Sequence, residues 1–440
     1  MVFLNSKHLV IVSLVFLAVT VPLIPYRYLF LPVSAPPVVM QFVQNLPVVV
    51  IALGGAAWFW ERRKQVGFTS LPLAWPVTLL FLAGLLSSVG AQDPLASTAK
   101  TCYYFLTGGL LYFLALDLTR QQRWARFLLH AFAVAACVAA LYGVLEFALG
   151  RNILYGTFFR PENEAYRRLI PDPWFGRRIS GTIGHPVVLG MYLVLTLPLV
   201  LHLSLGAAQR RFQVLWGAGT LILVLALVLT FSRGAWLAAL VGLGVYLKLR
   251  STKHLLMVSL ILGLFLLGVL AFSGVYEVLA LRLRDAYDNY WLHFASTSRG
   301  QSFAYVAVIN SMSPFLGLGT GMYRFAAYDL RAHLALPAPL GVLDTPDNMY
   351  LMWLAETGLV GLVAAVYVIA LLFRHAWQRS KCATSSVRQD LARAYLGTLA
   401  GFCIGMLTCD ALYFPVTRTA FWLLIGVVIS LLVVDDKTNG

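Results

Sequence analysis

Two short motifs place an arginine where a largely apolar chain carries little basic charge. Ser232-Arg233-Gly234 lies between two hydrophobic runs, and Ser298-Arg299-Gly300 lies in the longest polar stretch. The planar arginine fork binds an anionic group through two parallel hydrogen bonds and stays charged at physiological pH. The two motifs therefore predict an anionic ligand at one face of the protein.

An acidic residue and an amide residue mark the end of the same polar stretch, and a second acidic residue follows them. Asp347 and Asn348 come directly before an apolar run, and Glu356 follows about two turns inside it. A polar residue at a helix start is commonly a cap, but an Asp at a membrane mouth can also take the proton from a hydroxyl group. Glu356, as an intramembrane carboxylate, is a functional candidate by default, with pairing to an arginine as the alternative. Asp410 has the same ambiguity.

Weaker candidates lie nearby in the sequence. His185 and His293 are alternative bases, although a structural histidine is the commoner outcome. Asp285 and Asp288 are spaced to share a metal ion, but such pairs usually cap or solvate a helix. The 314–321 turn resembles a phosphate-binding glycine loop without its Lys-Ser/Thr and without a preceding strand. We interpret it as a tight turn that lets the backbone approach substrate or a neighbouring helix.

Membrane-spanning helices must position these residues. The chain has 440 residues, of which 60% are hydrophobic and 12% charged, and its mean hydropathy of +0.79 lies outside the soluble range. A helix needs about 20 apolar residues to cross the ~30 Å hydrocarbon layer. We predict an all-α integral membrane protein, one polytopic domain over 1–440, with about twelve transmembrane helices at 8–25, 39–60, 71–90, 99–118, 127–148, 185–206, 213–231, 234–248, 255–275, 349–373, 392–411 and 417–434.

Alternate loops carry the Lys and Arg residues that mark the cytoplasmic side of a membrane protein. These loops lie at 62–64, 120–126, 210–211, 248–253 and 374–393. With an even number of spans, both termini are then cytoplasmic. The net charge of +15 adds a general attraction to anionic membrane lipid without specificity.

Two long loops fall on the outer side under this topology. The 149–184 loop is rich in arginine, and the 276–348 loop shows helical apolar spacing at 279–293 and 300–312. Outer basic residues are almost purely Arg, including two tandem pairs, whereas the cytoplasmic ones mix Lys and Arg. Ion pairs with outer carboxylates would account for only part of this charge. The arginine content favours a phosphate-bearing ligand.

Together these motifs resemble the bacterial O-antigen ligase and polymerase family. The likeness rests on 230–236, Ser298-Arg299, the 314–321 turn, and Asn348 followed by Gly358 and Gly361. It extends over the twelve-span layout and is dense from about 180 to 362. Gly181-Thr182 and Gly184-His185-Pro186 also fit.

The resemblance implies a membrane-embedded glycosyltransferase of the GT-C kind. Such enzymes take a glycan from undecaprenyl diphosphate and transfer it with inversion on the periplasmic face of the bacterial inner membrane, with no cofactor, metal or nucleotide sugar. Arginines matching Arg233 and Arg299 hold the diphosphate. Ligases usually have His before the Asn, where this chain has Asp347, which we expect to act as the base. The expected additional diphosphate-binding residues are Arg168, Arg177 and Arg178.

The Asp at position 347 favours a polymerase of O-antigen or exopolysaccharide over a ligase that attaches glycan to lipid A core. A transporter of lipid-linked oligosaccharide is the competing class, but it predicts charges along a central path and often internal repeats. Expected partners are the undecaprenyl-diphosphate-linked glycan, a glycan or lipid A core acceptor and membrane lipid, with no nucleic acid. A chain-length regulator stays open as a further partner.

Overall fold

The computed structural model describes residues 13–18, 22–23, 49–56, 58–59, 71–118, 122–153, 178–272, 284, 287, 298–334, 345–383 and 385–433. All regular secondary structure within these ranges is helical, in agreement with the predicted all-α class. The helices are α1 (Ala74–Val89), α2 (Pro94–Phe105), α3 (Leu111–Leu118), α4 (Gln122–Leu149), α5 (Pro186–Gly206), α6 (Arg210–Leu229), α7 (Arg233–Arg250), α8 (Thr252–Phe272), α9 (Ser298–Met312), α10 (Tyr323–Leu334), α11 (Met349–Cys382), α12 (Ser386–Gly405) and α13 (Pro415–Val433).

Within the described chain, five helices are long and apolar enough to cross a membrane: α4, α5, α6, α11 and α13. Helix α1 and the segment Thr252–Gly268 are shorter apolar helices. The predicted spans at 8–25 and 39–60 lie largely outside the described residues. The twelve-span count and the orientation of the termini therefore stay predictions.

Some predicted boundaries differ from the helices. The span predicted at 99–118 is composed of α2, a π-helical turn at Leu106–Leu110 and α3. Helix α11 runs on to Cys382, because its polar end stays helical beyond the apolar run. The helix predicted at 300–312 is α9, whereas the one predicted at 279–293 lies in a part of the chain that the structure does not describe.

Helices α5, α7, α12 and α13 form the core of the protein. Helices α7 and α12 approach so closely that a Cβ on Gly397 would lie 2.5 Å from the Gly242 carbonyl oxygen. Small residues at a helix crossing allow backbones to touch and gain van der Waals contact, which is the main attraction between helices in lipid. Helices α5 and α13 are buried along most of their length. These helices form a rigid frame for the loops at either end.

One end of the frame carries a buried charge cluster. Asp390 of α12 binds His202 Nδ1 at 2.6 Å and the Tyr246 hydroxyl at 3.1 Å through Oδ2, and it also pairs with Arg250. The Arg250 guanidinium donates further to the Leu205 carbonyl oxygen at 3.1 Å. The cluster therefore ties the ends of α5 and α7 to the start of α12.

The opposite end gathers the loops that hold the candidate residues. The amide of Met349, at the start of α11, donates to the Met406 carbonyl oxygen just after α12, at 2.9 Å. Ile179 donates to the Leu229 carbonyl oxygen at the end of α6, at 3.1 Å. The starts of α5 and α7 touch, because a Cβ on Gly190 would lie 2.7 Å from the Ala235 side chain. We call this end of the bundle the loop face.

Helix α11 is broken at Gly358, which has φ 61 and ψ −165. The 314–319 turn crosses the break and supplies new partners: Leu359 and Val360 donate to the carbonyl oxygens of Pro314 and Phe315 at 2.9 and 3.1 Å. A Cβ on Gly358 would lie 2.3 Å from the Phe315 backbone. The glycine turn therefore approaches a neighbouring helix, which was one of the two outcomes expected for it.

Candidate active site

Arg233 is positioned by a strained turn between α6 and α7. Phe231 is buried and has φ 48, a left-handed conformation that is unfavourable for a bulky residue. The Thr230 hydroxyl accepts the Ser232 amide at 3.2 Å within the turn. Arg233 is then the first residue of α7, so its charge adds to the positive end of that helix.

The residue after Arg233 must be small. A Cβ on Gly234 would lie 2.0 Å from the Thr408 hydroxyl oxygen, so only glycine lets α7 begin against this part of the chain. Thr408 belongs to the loop that joins α12 to α13 at 406–414, which we call the α12–α13 loop. Arg233 is thereby placed beside that loop.

Arg299 reaches the same loop from α9. Its Nη2 donates to the Thr408 carbonyl oxygen at 3.0 Å, and its Nε lies 3.8 Å from Asp347 Oδ2. The two arginine motifs, distant in sequence, therefore converge on Thr408. Asp347 joins them through its ion pair with Arg299.

Asp347 and Asn348 have different roles at the start of α11. The Asn348 side-chain oxygen caps the helix by accepting the amides of Tyr350 and Leu351 at 3.0 and 3.1 Å, and its nitrogen donates to Leu407 at 3.0 Å. Asp347 has φ 51, and 54% of its side-chain surface is exposed. The cap oxygen therefore belongs to Asn348, and the Asp347 carboxylate is accessible.

The surrounding protein raises the pKa of the Asp347 carboxyl, while the Arg299 guanidinium lowers it. The ion pair thus favours the ionised carboxylate that a general base needs. Asp410 of the α12–α13 loop is 1% exposed, and burial together with the nearby Asp347 carboxylate raises its pKa to about 7. The loop face therefore holds two carboxyl groups whose pKa lies above its ordinary value.

Arg178 and His185 lie on the other side of the α6–α7 turn. Arg178 Nε donates to the Thr230 carbonyl oxygen at 2.9 Å. His185 caps α5 by accepting the Val188 amide at 3.5 Å, and its ring stacks on Phe414 at 5.7 Å between centroids. Desolvation by the surrounding protein, and then the Arg178 charge, lower the pKa of His185 to about 4. Its ring is therefore neutral at physiological pH.

Glu356 ties neighbouring elements together. Its carboxylate accepts the Tyr323 amide at 3.4 Å at the start of α10, and its backbone oxygen accepts the Gly319 amide at 2.9 Å and the Ser87 hydroxyl. The side chain is buried. Through these contacts Glu356 holds the glycine turn and the start of α10 against α11.

Residues 218–366 match the family model described as O-Antigen ligase. The match covers 149 of the 440 residues, and over this stretch the chain is similar to the O-antigen ligase/polymerase family. No curated protein matches the chain. The matched segment includes Asp347, Arg299 and the 232–234 motif, whereas Arg178 and Asp410 lie outside it.

An apolar groove of about 130 Å³ opens between α1, α2, α11 and α13. Phe81, Met352, Leu372 and Phe421 are among its walls, and the α11 residues that line it extend from Met349 to Leu372.

A cluster of cations and tyrosines lies where this groove meets the loop face. Lys100 Nζ lies 5.3 Å from the ring centroids of both Tyr104 and Tyr413, and the Arg418 guanidinium lies 4.4 Å from that of Tyr104. Arg418 is 2% exposed and donates to the carbonyl oxygens of Leu412 and Tyr413 at 3.0 and 2.8 Å. It thereby fixes the end of the α12–α13 loop.

Several predicted residues fall outside the described parts of the chain. Arg168, Arg177 and His293 are among them, as are Asp285 and Asp288, so the structure places none of these side chains. In the described ranges no group of three or more His, Cys, Asp or Glu side chains is arranged to hold a metal ion.

Sequence reasoning gave little weight to Asp410 and Lys100. Their signals were a lone carboxylate near the outer end of an apolar span and the single lysine on the predicted outer side. Both become informative only when the fold brings them to the arginines and the groove.

Proposed function

We propose that the protein transfers a glycan from undecaprenyl diphosphate to an acceptor hydroxyl on the periplasmic face of the bacterial inner membrane. The observation that carries this proposal is the meeting of the two arginine motifs at Thr408, which Gly234 packs against and to which Arg299 donates, with Asp347 held 3.8 Å from Arg299. The match to the O-antigen ligase family model supports an enzyme of the glycosyltransferase type.

The donor would be bound at two places. Its diphosphate lies against Arg233 and Arg299, with help from Arg178, and with Arg168 and Arg177 as further candidates. The positive end of α7 adds a partial charge to the same place. Its apolar tail lies in the groove between α1 and α11, which is lined mainly by hydrocarbon and aromatic groups.

The transfer is a single displacement with inversion. Asp347 takes the proton from the acceptor hydroxyl as its oxygen forms the bond to the anomeric carbon. The bond from that carbon to the diphosphate oxygen breaks, and its electron pair leaves with undecaprenyl diphosphate. Arg233 and Arg299 stabilise the charge that develops there, as fixed donors do in a preorganised site.

Two observations bear on the acceptor. The Asp at position 347 favours a polymerase, which extends O-antigen or exopolysaccharide, whereas the description of the matched family model favours a ligase that uses lipid A core. Both reactions use the same donor site. A chain-length regulator would be a partner of the polymerase alone.

The test is turnover by purified protein in nanodiscs. The substrate is undecaprenyl-diphosphate-linked oligosaccharide, with and without lipid A core, and the products are resolved on a gel. A ladder without the core supports the polymerase, and one shifted band that requires the core supports the ligase. A second assay uses the protein in sealed vesicles. Donor that crosses the vesicle membrane without forming product would refute transfer and favour a transporter.

Metal dependence is tested in the same assay. We propose that arginine charge carries the reaction without a divalent ion, so turnover should persist in the presence of a chelator. Loss of turnover that a divalent ion restores would contradict this and would direct attention to Asp285 and Asp288.

A further inference from the structure

Glu146 is a buried carboxylate near the end of α4 that the proposed reaction does not use. It is 6% exposed and accepts three hydrogen bonds from two consecutive residues. Its Oε2 accepts the amides of Gly181 and Ser180 at 2.7 and 3.1 Å, and its Oε1 accepts the Ser180 hydroxyl at 3.0 Å. Three hydrogen bonds to one buried side chain fix the backbone of the 180–181 turn.

The other side of the turn is held as well. Asn152 Nδ2 donates to the Gly181 carbonyl oxygen at 2.9 Å and to the Ser180 hydroxyl at 3.2 Å. The Tyr142 hydroxyl donates to Asn152 Oδ1 at 2.7 Å and orients the amide. Gly181 has φ +59, and a Cβ there would lie 3.0 Å from Leu189. Side chains at the end of α4 therefore bind both amides of the turn and the Gly181 carbonyl oxygen.

This turn follows Arg178 in the chain, with only Ile179 between them. Between them, Ile179 donates to the Leu229 carbonyl oxygen at 3.1 Å, and Arg178 Nε donates to the Thr230 carbonyl oxygen at 2.9 Å. The segment is therefore attached to α4 at one point and to the α6–α7 turn at the next. A movement of the 180–181 turn would therefore move Arg178 away from the α6–α7 turn, which leads into Arg233.

We propose that Glu146 is a positioning residue for the donor diphosphate, acting through the Ser180-Gly181 turn to hold Arg178 beside the α6–α7 turn. The inference rests on the proposed function, because it takes Arg178 as a diphosphate ligand. It assigns Glu146 a geometric role that does not depend on its charge.

Two substitutions separate geometry from charge. In Glu146→Gln the amide oxygen can accept both backbone amides, while its nitrogen donates to the Ser180 hydroxyl, which rotates to accept. In Glu146→Ala the two backbone amides lose their acceptor. Asn152→Ala weakens the turn from its other side and serves if the Glu146→Ala protein does not fold.

The experiment measures the Kd for undecaprenyl diphosphate, without a glycan, in nanodiscs, together with hydrogen exchange of the 178–184 segment. We expect Glu146→Ala and Asn152→Ala to speed exchange there, and Glu146→Ala to weaken binding by about tenfold, roughly the loss of one charge-assisted contact. Glu146→Gln should bind within about twofold of the original protein. Asp390→Asn is the matched control, a buried carboxylate at the opposite end of the bundle, and should lower Tm without changing this Kd.

Two results would overturn the inference. Faster exchange in Glu146→Ala or Asn152→Ala with unchanged Kd would show that the turn is not coupled to the diphosphate. A loss of affinity in Glu146→Gln with exchange unchanged would show that the charge, and not the geometry, is what matters. If the original protein does not bind undecaprenyl diphosphate, the proposed function fails, and the exchange data alone then decide whether Glu146 holds the turn.

Discussion

Replacing Arg299 by lysine tests the central contact of the site. The guanidinium reaches the Thr408 carbonyl oxygen at 3.0 Å with Nη2 and approaches Asp347 Oδ2 to 3.8 Å with Nε. A lysine ammonium is a single point of charge and cannot occupy both positions. The variant keeps the positive charge while losing the fork that would also face the diphosphate.

The expected cost follows from the bonds that are lost. One charge-assisted hydrogen bond contributes about 1.5–3 kcal/mol. At 1.36 kcal/mol per factor of ten, kcat/KM for the lipid-linked donor should fall by about 10- to 100-fold in Arg299→Lys. The Asp347 contact adds little to this number, because a long and half-exposed ion pair is screened by solvent.

A second variant, Arg299→Gln, separates charge from shape. Arg299 lowers the pKa of the Asp347 carboxyl against the effect of burial, so removing the charge lets that pKa rise further. A general base works only when deprotonated, and activity therefore increases as the pH passes upward through its pKa. The acidic limb of the pH profile should shift to higher pH in Arg299→Gln and change little in Arg299→Lys.

Both effects can be measured in one assay on protein in nanodiscs, with donor concentration and pH varied independently. Thermal unfolding of each variant serves as the control for folding. Full kcat/KM in Arg299→Lys would refute bidentate binding by Arg299. An unmoved acidic limb in Arg299→Gln would show that Asp347 is not the group that titrates.

Further substitutions test the neighbouring contacts. Asp347→Asn should lower kcat by at least about 100-fold with unchanged Tm, because general-base catalysis contributes that much and Asn348 provides the helix cap; normal turnover would refute the role of base. Gly234→Ala should destabilise the protein by about 1–3 kcal/mol in denaturant unfolding, since its Cβ would lie 2.0 Å from the Thr408 hydroxyl oxygen; an unchanged unfolding midpoint would contradict that close packing. Gly358→Ala should lower the free energy of unfolding at least as much as Gly234→Ala does, because the φ of 61 at Gly358 disfavours a side chain. It should therefore also lower Tm, and an unchanged Tm would show that the break in α11 is not required.

The sequence predicted the helices well where an apolar run coincides with a helix. The span predicted at 185–206 is α5, Pro186–Gly206. Hydropathy indicates where a chain leaves the hydrocarbon layer of the membrane, but it does not indicate where the helix ends. The span predicted to end at 373 therefore missed the polar end of α11, which continues to Cys382. The π-helical turn at Leu106–Leu110 was missed for a related reason, because it does not change the apolar pattern.

The site was predictable only in its local motifs. Arg233, Arg299 and Asp347 stand out because charge in these places is unusual for an apolar chain. The contacts of Arg299 and Gly234 with Thr408 are tertiary contacts to the α12–α13 loop, and no local pattern predicts them. Glu146 was hidden more completely, since it lies in an apolar helix and its partners belong to an irregular turn.

The α12–α13 loop explains how the two arginines are kept in register although they belong to separate elements. Three neighbours bind its backbone carbonyl oxygens: the Met349 amide, the Asn348 side chain and the buried Arg418 guanidinium. The start of α7 packs against its Thr408 side chain through Gly234. Three of these contacts come from helices that continue deep into the frame. Because the loop cannot shift without disturbing those helices, the arginines converge on a fixed point, which is what stabilising a developing charge requires. The groove that would hold the apolar tail is bounded by two of the same helices, α11 and α13, so under the proposed function one framework would position both the reacting end of the donor and its lipid end.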